Sequence, residues 1–148
     1  MIRLSTRGRY GTRIMMELAQ HYGKGPLLLK DIAKSQEISV GYMEQIMPSL
    51  KTKGLVGANR GAHGGYFLSM DPSEIKIKDI IIALEGNIAL LECLDNPKIC
   101  QKASRCSSRD LWGELNKEIS GFLDSRSLQD LIISQREKDK AISLNYEI

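Results

Sequence analysis

No run in these 148 residues approaches the ~18 consecutive apolar residues that a membrane-spanning helix requires. The opening MIRLSTRGRY lacks the apolar block of a secretory signal peptide, so the expected location is the cytoplasm. Cysteine is scarce, and its count of three is odd, which argues against a disulfide framework. The residue groups of common active sites are missing too. No carboxylates pair in a pocket-like context, and no nucleophile stands with a histidine to orient it. His21 reads as a helix-end surface residue and His63 as part of a loop tip. The glycine-rich run at residues 61–65 reads as the tip of a hairpin, not as a phosphate loop. An enzyme is not expected.

What is present is unevenly placed. The length suits one domain, or one domain plus an arm, with a core that needs no covalent staples. The net charge is only +3, but residues 1–70 carry ten Lys and Arg against four Asp and Glu. Residues 71–148 carry eleven against fourteen. A basic head on an acidic body points to a polyanion as the partner of the head alone.

The head has a legible period. Tyr10, Ile14, Leu18 and Tyr22 share one face of a helix predicted from about Gly8 to Tyr22, ended by Gly23-Lys24-Gly25-Pro26. Arg7, Arg9 and Arg13 stand near its start, where they oppose the helix dipole, and phosphates are one candidate for what they face. Leu28, Leu29, Ile32 and Ala33 give a second, short helix, and Glu37-Ile38-Ser39 a turn. Ser39 is an expected N-cap for a third helix to about Lys53 that buries Met43, Ile46, Met47 and Leu50, with a kink at Pro48.

Two short helices and a tight turn make a helix-turn-helix, whose second helix enters the major groove by its N-terminal end. Gln45 suits adenine there, and Glu44 suits the amino group of cytosine. Strands at residues 55–59 and 65–69 then flank Arg60-Gly61-Ala62-His63-Gly64, a β-hairpin wing whose arginine can enter a minor groove. A wing of this kind also serves protein contacts.

In the body, Ile75, Ile77, Ile80, Ile81 and Leu84 form a helix that stops at Gly86. Cys93, Cys100 and Cys106 follow in a polar loop, spaced Cys-x6-Cys-x5-Cys. Thiolates select Fe–S clusters, zinc or copper(I), and these gaps are wider than the close pairs of structural zinc sites. From Ser107, with Ser107 or Ser108 as cap, Leu111, Leu115, Ile119, Phe122 and Leu123 make one stripe of a helix ~27 Å long. Such a stripe on a small domain needs a partner surface. Leu128, Leu131 and Ile132 suggest a short last helix, and residues 135–148 a flexible tail.

The line RLSTRGRYGTRIMMELA, the block SVGYMEQIMPSLKTKGLV and the wing RGAHGGY resemble the bacterial IscR/NsrR/CymR regulators, the Rrf-two family, and the likeness runs on through KDIIIALEG. The resemblance covers about residues 1–135. It implies a fold that is mainly α with a small β-hairpin, a winged helix-turn-helix plus a long dimerisation helix. The expected divisions are a DNA-binding domain over 1–86, a cysteine loop over 87–106, and dimerisation and terminal helices over 107–134. It further implies a homodimer on a near-palindromic double-stranded operator, with Ser39, Tyr42, Glu44, Gln45 and Arg60 facing DNA.

Cluster-binding members carry three cysteines in this loop, and Cys93, Cys100 and Cys106 fall at those places. Members that work without a cluster lack the set. The implied cofactor is an iron–sulfur cluster, with [2Fe–2S] favoured over [4Fe–4S]. One departure stands out: some members place a histidine three residues after the last cysteine, and here Arg109, which stays protonated, occupies it. Others use an N-terminal aspartate, and here Arg9 stands there. Glu85, Glu92, Asp95, Asp110 and the partner subunit's Ser5 or Thr6 are the candidates left for a fourth ligand. A metal-free regulator switched by thiols or a partner protein is the alternative. An iron–sulfur carrier would use the same cysteines but leaves the basic wing unexplained.

Overall fold

Helix α1, Thr6–Gln20, begins two residues earlier than the predicted Gly8, because Ser5 caps it and its hydroxyl accepts the Gly8 N–H at 3.0 Å. This computed structural model describes residues 2–147. Ile14, Met15 and Leu18 are fully buried on the inner face of α1. Tyr22, expected on that stripe, lies past the helix end and is exposed.

Helix α2, Leu29–Gln36, ends where Glu37 turns left-handed at φ 55°, and its N–H bonds the Lys34 carbonyl. Helix α3, Val40–Thr52, starts on the expected cap, with the Ser39 hydroxyl accepting the Tyr42 N–H at 3.1 Å. It runs through Pro48 and buries Met43, Ile46, Met47 and Leu50. The apolar contacts of those four residues outweigh the one backbone bond that proline removes.

Strands β1, Val56–Asn59, and β2, Gly65–Leu68, pair antiparallel with Val56 opposite Leu68 and Asn59 opposite Gly65. Leu27 adds a rung to β2, exchanging two backbone bonds with Tyr66 at 2.8 and 2.7 Å, so the wing is tied to the chain entering α2. Gly65 permits this approach: it sits at φ 140°, and a Cβ there would run into the Leu27 backbone.

Helix α4, Ile77–Glu85, lies against α1 and α3. Gly86, at φ 83°, turns the chain out of it, as expected of that glycine. The cysteine segment is not an open loop throughout: it holds a one-turn helix α5, Glu92–Asp95, and 3-10 turns at Pro97–Ile99 and Ala103–Arg105. Helix α6, Ser107–Ser125, follows, and helix α7, Leu128–Tyr146, closes the chain.

The last helix differs from expectation. Instead of a short helix and a flexible tail, α7 is 19 residues long and continues through most of residues 135–148, the last of which lies outside the described residues. Its start is firmly seated. Ser127 and Asp130 form a capping box, backbone bonds join Leu128 to Ile75 and Ile77 to Arg126, and Leu128 and Ile132 are buried in the core of the head. A helix nucleated this way propagates through good helix formers (Gln135, Arg136, Glu137, Lys138, Lys140, Ala141) without needing an apolar stripe of its own. Gln135 also bonds Asp139 one turn on, at 2.9 Å.

Candidate functional site

Two regions carry chemistry. The first is the outer surface of α1, α3 and the wing. Ser39, Glu44 and Gln45 are exposed at the N-terminal half of α3, and Arg60 is exposed at the wing tip. Gly41 leaves open space beside them, since a Cβ there would meet no protein atom within 4 Å. Tyr42 is only half exposed. Its ring packs edge-on against Tyr10 of α1, with centroids 6.0 Å apart and planes at 83°. The Arg9 and Arg13 guanidinium groups lie 4.9 and 5.2 Å from the centre of the Tyr10 ring. Aromatic packing therefore joins α1 to the head of α3 and brings two cations to the same edge.

The three N-terminal arginines are not equivalent, which residue spacing alone does not reveal. Arg13 donates from Nε to the Gln36 side-chain oxygen at 2.9 Å, and Gln36 in turn donates to Glu17 at 2.6 Å. That chain ties α1 to α2. Arg7 reaches Ser49 and the Gln45 carbonyl of α3. Arg9 is exposed.

The second region is the cysteine segment between α4 and α6. All three thiols are free; Cys100 is exposed and Cys93 and Cys106 are half-buried. Cys93 lies in α5, Cys100 ends the first 3-10 turn, and Cys106 caps α6. The cap differs from the expected Ser107 or Ser108: the Cys106 sulfur accepts the Arg109 N–H at 3.4 Å. A cysteine at this place can hold the helix end because sulfur is itself a weak acceptor.

Arg109 also donates from Nε to the Cys93 carbonyl at 3.1 Å, so it braces the first cysteine's backbone against the third. Among the described residues, no three His, Cys, Asp or Glu side chains converge into a metal-holding group. The fourth-ligand candidates are engaged elsewhere in part: Glu85 accepts from Ser5, and Asp95 accepts from the Asn87 side chain. The donor set nonetheless suits a soft-metal group, with three free thiols on one segment and none of them in the buried core.

Helix α6 has no buried residue along its 19 positions. Leu111 and Phe122 are 58% and 59% exposed, and Trp112 is 37% exposed. No helix among the described residues is long and apolar enough to cross a membrane.

The family model described as "Rrf2: Iron-dependent Transcriptional regulator" matches residues 4–134. The chain is 39% identical over 140 residues to the HTH-type transcriptional regulator IscR of Photorhabdus laumondii, a match spanning 95% of this chain and 85% of that protein. Among solved structures, CymR, the global cysteine regulator of B. subtilis, is similar at a TM-score of 0.76 and 40% identity, over 90% of this chain and 98% of that one. IscR of T. potens matches at a TM-score of 0.76 and 37% identity, over 93% and 90%. The relatives are regulators, and with the winged helix-turn-helix in place this chain belongs to the Rrf2 family of transcription regulators.

Proposed function

We propose that this regulator works as a homodimer that reads a near-palindromic DNA operator and adjusts its grip to iron–sulfur status. The observation that carries the sensing half is the placement of three free thiols, Cys93, Cys100 and Cys106, on the one segment between the reading head and α6. Bound there, an iron–sulfur cluster, [2Fe–2S] in preference to [4Fe–4S], would supply a redox- and iron-dependent group that is lost or rebuilt with cellular conditions. Arg109 holds the Cys93 backbone in the position where a fourth donor stands in some relatives, so this chain's own contribution is three thiolates and a brace. A set lacking a strong fourth protein ligand makes the group labile, which suits a sensor.

The DNA half rests on Ser39, Tyr42, Glu44, Gln45 and Arg60, which lie along α3 and the wing of the basic head. The exposed Leu111, Trp112 and Phe122 of α6 support a second copy as their cover. Two-fold pairing sets the two α3 helices near ~34 Å apart, one turn of DNA. Ordering of the cysteine segment then changes the relative placement of the heads, and a coupling of ~1–3 kcal/mol suffices for a large change in occupancy.

The test is anaerobic purification with an optical spectrum and counts of iron and sulfide, beside Cys93→Ala. A coloured protein bleached by the substitution supports the reading. A protein that stays colourless after reconstitution with iron and sulfide supports a second one, a metal-free repressor switched by thiols or a partner protein. That second reading draws on the likeness to CymR and on the absence of a converged metal group among the described residues. Equal operator affinity of cluster-loaded and cluster-free protein at fixed salt would refute the switching mechanism.

A further inference from the structure

Arg7 lies in the first turn of α1, where a cation opposes the helix dipole. Its compensation is tertiary. The guanidinium donates to the Ser49 hydroxyl and, at 3.3 Å, to the Gln45 carbonyl, both on α3. These acceptors are one helical turn apart and bracket Pro48. Proline has no N–H for the Glu44 carbonyl, and its ring crowds that turn, so this is where α3 is weakest as a rod. Arg7 is half-buried, and its Nε is buried without a hydrogen-bond partner. A guanidinium so committed is poorly placed to neutralise a phosphate. It grips the backbone of Gln45, the residue whose side chain points outward on the reading face.

We propose that Arg7 is a positioning residue for DNA reading: it pins the Pro48 turn of α3 to α1 and so sets the angle at which Glu44 and Gln45 meet base edges. The inference rests on the proposed reading that α3 presents those two side chains to DNA. It assigns Arg7 to sequence discrimination and leaves Arg9 to general attraction.

The experiment measures binding of the full chain to two DNA probes across a salt series. One is a duplex enriched by the wild-type protein from a random-sequence pool; the other is poly(dI-dC). Arg7→Ala and Arg7→Lys should each lose roughly tenfold for the enriched duplex, the size of one lost base-edge contact, with poly(dI-dC) binding and the salt slope unchanged. Arg7→Lys keeps the charge but not the planar fork, so it serves even if Arg7→Ala fails to fold. Ser49→Ala should lose selectivity in the same direction, and adding it to Arg7→Lys should cost less than the two single effects combined. Arg9→Ala should weaken both probes alike and lower the salt slope by about one.

The proposal is overturned if Arg7→Lys binds both probes as wild type does. It is equally overturned if Arg7→Ala weakens both alike with a reduced slope, the mark of a phosphate ligand. Glu44→Ala and Gln45→Ala separate this from the underlying reading. If they keep full selectivity, the reading of α3 fails and the proposal with it; if they lose it while Arg7→Lys does not, only the proposal fails.

Discussion

Ser5 and Glu85 hold each other across the start of one helix and the end of another. The Ser5 N–H donates to the Glu85 carboxylate at 3.2 Å, and the Ser5 hydroxyl donates to the same oxygen while accepting the Gly8 N–H. Gly8 makes room for this arrangement, because a Cβ there would push the Glu85 carboxylate aside. Glu85 is the last residue of α4 and Gly86 opens the path to the cysteine segment, so one contact anchors the root of that segment to the start of α1.

Removing either partner should therefore destabilise the fold, and removing both should cost less than the sum. Ser5→Ala loses a helix cap and should cost ~1 kcal/mol. Glu85→Ala should cost less, because the contact is exposed, and less again in the Ser5→Ala background, where only the bond from the residue-5 backbone N–H is left to lose. Urea denaturation of the four proteins checks this. Fully additive losses would show that the two residues act independently.

Arg60→Ala should weaken binding to a selected duplex and blur discrimination, since the wing tip is exposed and tethered by the Leu27–Tyr66 rung. Arg9→Ala should weaken all DNA alike. Titrations at two salt concentrations distinguish the two patterns. Normal binding by Arg60→Ala would remove the wing from the interface.

Leu111→Asp and Phe122→Asp place charge on the exposed stripe of α6. If that stripe is covered by a second copy, either substitution should halve the mass in solution by light scattering while leaving the helical signal intact. A wild-type protein that is already monomeric at tens of micromolar would refute the pairing.

Acid should loosen the seat of α7. The Ser127 backbone N–H, and then its hydroxyl, hold the Asp130 carboxyl below its ordinary pKa, and the Ser73 hydroxyl and N–H do the same for Asp71. A carboxyl whose folded pKa is depressed adds stability that is fully present above its unfolded pKa. That stability is lost as pH falls through the folded value. Stability from these two groups should thus be flat through neutral pH and decline only below the ordinary carboxylate range. Thermal melts between pH 7 and 3 check the profile, and Asp130→Asn, which removes one of the two titrating carboxyls, should shrink the acid arm. A decline beginning near pH 6 would point to other groups.

The sequence by itself determined the elements whose residues announce themselves locally. Met43, Ile46, Met47 and Leu50 repeat at helical spacing and are buried; Ser39 precedes them and caps the helix; Gly86 ends α4 in the backbone region glycine favours. The glycine-rich tip between two short apolar strands marked the wing. Family membership was equally legible, because the motifs that carry it are runs of neighbouring residues.

What lacked a local signal was decided by tertiary structure. Residues 135–146 are mainly polar, and Ile142, Leu144 and Tyr146 among them are exposed, yet they continue a helix whose nucleus, Leu128 and Ile132, is buried in the head. Helix propagation asks only for a nucleus and good propensity, and the nucleus is a packing event. The three arginines of α1 look alike in sequence and differ only in what the fold brings to them: Gln36 to Arg13, and Gln45 and Ser49 to Arg7. Those partners lie 23 to 42 residues away along the chain, and a hydrogen bond between such distant residues exists only once helices have packed. The spacing of Cys93, Cys100 and Cys106 was plain from the start. The Cys106 cap of α6 is a local contact over three residues, hidden in the sequence because Ser107 and Ser108 are the commoner cap residues; that Arg109 braces Cys93, 16 residues away, depended on how the segment folds back on itself.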